Sequence, residues 1–240
     1  MMNAHPHQQI GGLDLAQARA GLTHWPVVAA SIDHDEYQQR LLRARMLMRE
    51  HGADALLVTA GASLRYFTGI AWSASERLVG LLLTARGEPI LICPRFETGS
   101  LEHVLRIDAE LRAWEEHENP HALVAAALRE RHAGNLALDP AAAYAVATRL
   151  QAVLGEHHLV DASPIIDGCR MRKSGAELAL MRQATAMTLQ VQRLAAGVLH
   201  EGISNHALVH FIDEAHRALG ADNGPTFGID QFGQATASPH

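Results

Sequence analysis

The sequence predicts an α/β fold: a mixed sheet with helices flanking it, then a hinge, then the start of a second domain that is cut short. Three observations predict it. Short apolar runs and helical patterns alternate from Ala55 to Ala162, as in a sheet with helices packed on its faces. The longest helical pattern, within Ile165 to Val198, comes only after that alternation ends. The chain then stops soon after Val198, leaving too few residues for a second complete domain.

The elements are expected as follows. Met1 to Pro26 is polar, with a weak helical pattern at Leu13 to Leu22. It reads as a partly ordered arm, able to pack on its own chain or on a partner subunit. Asp33 or Asp35 caps a helix running to about Glu50, with Tyr37, Leu41, Ala44 and Met48 on its inner face and Gly52 at its end. Ala55 to Thr59 is a buried strand, and Ala62 to Gly69 a short helix and turn. Leu78 to Thr84 and Pro89 to Pro94 are strands joined by a hairpin over Ala85 to Glu88.

Phe96 to Leu105 is helical and Leu111 to Trp114 a strand. Asn119 caps the next helix, with Pro120 at its first position, and that helix continues to about His132. Leu136 to Asp139 is a strand, Ala141 to Leu154 an alanine-rich helix, and Leu159 to Ala162 a strand. The core is expected to contain Leu56, Val58, Leu81, Leu83, Ile90, Ile92 and Leu138. Residues of one run spaced by two share a face of the sheet.

The stretch from Ile165 starts as a short extended segment. It then becomes a helix, with Ser174 and Glu177 at capping-box spacing. Leu178, Met181, Ala184, Val191, Leu194 and Val198 fall on one face of it. The pattern breaks near Gly202, and a second helix covers about Asn205 to Leu219. Gly224 to Phe232 reads as a glycine-rich strand, and Gly233 to His240 as a polar turn.

Bulk properties exclude several function classes. The chain has 240 residues, of which 48% are hydrophobic, an ordinary fraction for a packed core. A net charge of -6 gives no electrostatic case for nucleic acid. Two cysteines, Cys93 and Cys169, are far too few for a secreted disulfide scaffold and read as free thiols of a reducing cytosol. The apolar runs are too short to span a membrane. The first thirty residues lack the basic start and apolar core of a signal peptide, so a cytoplasmic location is expected.

Three short catalytic motifs are absent: no G-x-S-x-G, phosphate-binding Walker loop or G-x-G-x-x-G occurs. His206, His210 and Glu214 form an i, i+4, i+8 stripe that invites a metal reading. At about 100° per residue, however, the stripe lies opposite Leu208, Phe211, Ile212, Ala215 and Leu219, so it is expected to be a solvated polar face.

Two stretches say more together. Arg65 to Gly69 reads R-Y-F-T-G just after the first strand. About a hundred residues later, Arg170 to Ala184 reads R-M-R-K-S-G-A-E-L-A-L-M-R-Q-A. By themselves they are a packed aromatic turn and a capped helix. Their order and spacing resemble the creatinase and proline-peptidase family. Its N-terminal α/β domain carries a Y-[LF]-T-G turn, and a segment R-x-x-K-[ST]-x-x-E-[LI]-x-x-M-[RK]-x-A opens its pita-bread catalytic domain. Tyr66, Phe67, Thr68 and Gly69 match the first, and Arg170, Lys173, Ser174, Glu177, Met181 and Ala184 match the second. Gly202 fits the family's glycine after the first catalytic-domain helix. The ending F-G-x-x-x-A-S-P-H, Phe232 to His240, resembles the segment that ends in the family's pocket histidine.

The resemblance implies a creatinase-like N-terminal mixed sheet followed by the truncated start of an α+β pita-bread domain. The segments would be an arm over 1–32, the N-terminal domain over 33–164, and the linker and opening of the catalytic domain over 165–240. It implies hydrolysis of Xaa-Pro peptide bonds, with creatinase-like amidine hydrolysis or a non-catalytic binding or assembly module as alternatives.

His240 would be the catalytic histidine that hydrogen-bonds the substrate carbonyl or its oxyanion. Phe227 would line the pocket, and Trp72 would sit in the pocket or at an interface of a homodimer. The substrate would be a proline-containing dipeptide or peptide. Two divalent metals, Mn²⁺ or Zn²⁺, would serve the full-length family member, held by carboxylates and one histidine beyond the pocket histidine. No metal is expected in this chain. Asp222 and Asp230 precede the pocket histidine and do not fit the ligand positions.

Overall fold

The computed structural model describes residues 10–155, 158–225, 228 and 230–237. The chain divides into two compact units, Ile32–Lys173 and Met1–Ser31 with Ser174–His240. The boundary therefore falls after Lys173 and not at 164/165, and the N-terminal arm groups with the C-terminal helices instead of standing alone.

In the Ile32–Lys173 unit, α2 (His34–Glu50) follows α1, a short helix of the arm (Leu15–Ala20). Asp33 caps α2 by accepting from the Glu36 N–H at 2.8 Å, and Tyr37, Leu41, Ala44 and Met48 are all buried. Then come β1 (Ala55–Thr59), α3 (Ala62–Thr68), β2 (Gly80–Thr84) and β3 (Ile90–Pro94). A 3₁₀ turn (Arg95–Glu97), α4 (Thr98–Val104), β4 (Glu110–Trp114), α5 (Pro120–Glu130) and β5 (Asn135–Leu138) follow. The unit ends with α6 (Tyr144–Leu154), β6 (His158–Asp161) and α7 (Ser163–Arg170).

The six strands form one mixed sheet in the order β4-β3-β2-β1-β5-β6. β2 runs antiparallel to β1 and β3, and the other neighbours are parallel, so five strands end at one edge of the sheet. All seven expected core residues are buried. They divide between the faces as the period of two requires. Leu56, Val58, Leu81 and Leu83 pack under α2, α3, α4 and α7, while Ile90, Ile92 and Leu138 pack under α5 and α6.

The segment from Ile165 is a correction. It is helical, not extended. Pro164 sits in the first turn, where its missing N–H costs nothing. Ile165, Ile166 and Cys169 then share one buried face against α2. β-branched residues in so short a run favour strand by propensity, and tertiary packing overrides that preference. The alanine-rich helix also starts at Tyr144, later than expected, because Asp139 to Ala143 is taken up by a turn.

In the other unit, α8 (Gly175–Gly197) opens on the expected capping box. The Glu177 N–H donates to Ser174 Oγ at 3.1 Å, and the Ser174 N–H to Glu177 Oε2 at 2.9 Å. α9 (Asn205–Leu219) packs on the second half of α8. The arm lies on its own chain: the Gly11, Leu13 and Trp25 N–H groups donate to the carbonyls of Ala196, Gly197 and Leu219, and Ala18 is buried among α8 and α9 side chains.

Only part of the expected α8 face is buried. Val191 and Val198 are enclosed, but Leu178 and Met181 are 38% and 51% exposed and Ala184 is exposed too. α1 and α9 cover the C-terminal half of the helix, and hydrophobic periodicity cannot say how far a covering partner extends. The expected strand over 224–232 is not formed among the described residues; residues 226, 227 and 229 lie outside them. The tail carries a 3₁₀ turn, Gly233–Ala237.

Candidate functional site

Inside the Ile32–Lys173 unit the structure brings the first signature stretch against the opening residues of the second, Arg170 to Lys173. Tyr66 Oη donates to the carbonyl of Cys169 at 3.0 Å, and Arg170 Nη1 donates to Ser63 Oγ at 3.2 Å. Phe67 is fully buried and meets the Tyr66 ring edge-on, with centroids 4.9 Å apart. Thr68 Oγ1 donates to the Leu64 carbonyl and accepts from the Ile70 N–H, which closes the turn.

Gly69 ends α3 at φ +81°. A Cβ there would lie 2.5 Å from Arg106 Cγ, so both conformation and space require glycine. Arg40 is buried, stacks over the Tyr66 ring at 4.1 Å and donates to the Tyr66 carbonyl at 2.7 Å. Lys173 Nζ donates to the Arg170 and Met171 carbonyls at the end of α7. The signature residues of this unit therefore form a structural joint. None of these contacts exposes a reactive group.

The expected site residues are not gathered together. Trp72 is half-buried against the core of its own unit. Phe227 and His240 lie outside the described residues. The His206–His210–Glu214 stripe is a polar face, as expected. The two rings stack 6.4 Å apart, and Glu214 is held by Arg19 at 2.7 Å. Arg19 and, to a smaller extent, His210 pull the Glu214 carboxyl below its ordinary range. Burial pushes both Cys93 and Cys169 up to about 11, so neither thiol is a nucleophile near neutral pH. Among the described residues no group of three or more His, Cys, Asp or Glu could hold a metal ion. Among them, too, no helix is long and apolar enough to cross a membrane.

A cleft that the sequence did not signal lies at the carboxyl edge of the sheet. β1 leads into α3 on one face, while neighbouring β5 leads into α6 on the other. Diverging connections leave a crevice beyond the strand ends, the usual ligand position in open α/β sheets. Its inner part is lined by Thr59 and Ala60 from the end of β1, Val79, His121 at the start of α5, and Val146 and Arg149 on α6. Glu76 and Arg77 border both parts, and the outer part, about 480 Å³, adds Trp114, Glu116 and Glu118.

Most of its charges are internally paired. Arg77 grips Glu116 through Nε at 2.8 Å and also pairs with Glu76. Hydrogen bonding to Glu116 raises the Arg77 pKa and lowers that of Glu116.

His121 is different. It is 4% exposed. Asn119 Oδ1, the helix cap, accepts from the His121 N–H at 3.0 Å and lies 3.2 Å from Nδ1. An oxygen acceptor there puts the ring proton on Nδ1, which leaves Nε2 as a lone-pair acceptor. That Nε2 is buried and has no partner among the described residues. Burial first, then the charge of Arg149, pushes the imidazole pKa down, so the ring is neutral near pH 7. Asp139, just after β5, is 2% exposed; its Oδ1 accepts from the Ala141 N–H at 2.9 Å, and Oδ2 has no partner among the described residues. The sequence hints were the N-P-H cap, which marks the start of a helix, and the H-E-x-x-H spacing of His117, Glu118 and His121, of which only His121 lies on the helix because it begins at Pro120.

Comparison with known proteins follows from this architecture. A family model described as "Creatinase/Prolidase N-terminal domain" matches residues 40–172, more than half of the chain. The protein named "Putative dipeptidase YkvY" of Bacillus subtilis (strain 168) is 25% identical over 204 residues, covering 84% of this chain and 56% of its own length. Dipeptidase PepE from Mycobacterium ulcerans has a solved structure that matches with a TM-score of 0.70 and 29% identity, over 81% of this chain and 52% of that one. The recombinant prolidase from Thermococcus sibiricus matches with a TM-score of 0.70 and 25% identity over the same shares. The chain thus spans about half the length of the relatives it matches.

Proposed function

This chain belongs to the Creatinase/Prolidase N-terminal domain family, and we propose that it is the N-terminal part of an Xaa-Pro dipeptidase or aminopeptidase, a hydrolase of the peptide bond that precedes proline. The observation that carries the reading is the likeness to a prolidase and a dipeptidase across four-fifths of the chain, at 25% and 29% identity. The Y-F-T-G turn and the R-x-x-K-S-x-x-E segment support it, since both lie where the family's motifs lie.

The family's two divalent metals, Mn²⁺ or Zn²⁺, would activate water for attack on the scissile carbonyl. The described residues do not fit such ions, because no ligand group is present among them. The metal ligands are assigned to the complete protein. His240 would hold the substrate carbonyl or its oxyanion by a hydrogen bond, and Phe227 would form a wall beside it. The complete protein would act in the cytoplasm on proline-containing dipeptides or peptides, as a homodimer with Trp72 near the neighbouring subunit's pocket. Sedimentation of the chain and of Trp72→Ala tests that contact; a strictly monomeric parent removes it.

The main test is hydrolysis of Gly-Pro and Ala-Pro with added Mn²⁺, Co²⁺ or Zn²⁺. The expected result is turnover by the complete protein and none by the mass-verified 240-residue chain. Turnover by this chain would overturn the assignment of the ligands elsewhere. A complete protein that cleaves creatine but neither dipeptide would overturn the Xaa-Pro reading.

A further inference from the structure

The cleft at the carboxyl edge of the sheet leaves one demand unmet. His121, which lines it, has in Nε2 a buried acceptor with no donor among the described residues. Leaving a buried acceptor unpaired costs about 1–3 kcal/mol, so a donor supplied from outside is favoured there. Arg149, at the same cleft, is exposed and forms no hydrogen bond or ion pair among the described residues, unlike Arg77. A guanidinium so placed favours a carboxylate or another planar anion. One group of the cleft thus asks for an N–H donor and another for negative charge.

We infer that this cleft binds a small zwitterion of the free α-amino acid class, its ammonium donating to His121 Nε2 and its carboxylate held by Arg149. An α-amino acid is the smallest common ligand that carries both groups. The neutral ring of His121 suits it, since an imidazolium would repel the ammonium and has no lone pair to offer. The Glu76–Arg77–Glu116 wall carries one net negative charge, which opposes a simple anion and suits a ligand that also brings an ammonium. The outer part of the cleft, about 480 Å³, lies within the range of small-molecule sites. The site stands on residues of the Ile32–Lys173 unit alone and does not depend on the peptidase reading.

The test is a titration of the 240-residue chain, labelled with ¹⁵N in its imidazole rings, with glycine, acetate and methylamine as separate probes. Glycine is expected to shift the His121 Nε2 resonance saturably. Arg149→Ala should weaken that binding about tenfold or more, and Arg149→Lys should restore part of it. Arg149 is exposed, so its replacement leaves the fold intact. No saturable glycine shift would overturn the proposal. So would acetate or methylamine binding as tightly as glycine, or glycine binding that is indifferent to Arg149.

Discussion

Tyr66 Oη donates to the carbonyl oxygen of Cys169 at 3.0 Å, joining the turn after the first strand to a helix 103 residues further along the chain. The acceptor lies in the last turn of α7, where backbone carbonyls have no intrahelical donor. Arg40 stacks on the other side of the same ring and holds the Tyr66 carbonyl. The aromatic residue of the Y-F-T-G turn is therefore a clamp between α2, α3 and α7.

Replacing Tyr66 by Phe keeps the ring and its stacking on Arg40 but removes the donor. The expected cost is about 1 kcal/mol, the net worth of one such hydrogen bond. Urea unfolding measures it. An unchanged midpoint would show that water replaces the hydroxyl and that the clamp is not needed.

Leu81 is fully buried on the α2 side of the sheet, paired with Val58 in register. Leu81→Ala should cost roughly 2–5 kcal/mol, the loss of buried methyl groups plus the cavity left behind. Leu42, which is 57% exposed on the outer side of α2, serves as the control, and Leu42→Ala should change stability by about 0.5 kcal/mol or less. Equal effects at the two positions would refute the assignment of Leu81 to the core.

Stability should depend on His121 in mildly acidic solution. Burial and Arg149 lower its pKa in the folded state below the ordinary 6.5. Above that ordinary value both folded and unfolded forms are neutral, and stability is complete. As pH falls through the window between the ordinary and the lowered value, the unfolded chain takes up a proton that the folded one refuses, so stability falls. The contribution is fully lost below the folded value. Comparing the drop in urea midpoint from about pH 7 to about pH 5 in the parent and in His121→Gln tests this, because other titrating groups cancel between them. An identical drop in both proteins would mean that His121 titrates normally.

Local rules were legible wherever neighbours in sequence settle the structure. The face of α2, the caps at Asp33, Asn119 and Ser174, and the helix end at Gly69 all follow from residues within one or two turns of each other. The same holds for the strands. Leu56 and Val58, or Ile90 and Ile92, lie two apart and share a face whatever the strand order. The metal reading of His206, His210 and Glu214 could be set aside from helical angles alone.

What the sequence determined by itself is this set of elements, the pairing of apolar positions, and the motif pattern that places the chain in its family. Tertiary structure alone decided the rest. Ile165 and Ile166 became helical because α7 could bury them with Cys169 against α2, and the gain from burial exceeds a weak strand preference. Leu178 and Met181 stayed exposed because apolar periodicity names a face without naming what covers it. His121 and Arg149 border one crevice only because β1 and β5, distant in sequence, lie side by side and send their chains to opposite faces. That adjacency depends on which strands pair, and strand order is a long-range choice that no local spacing encodes.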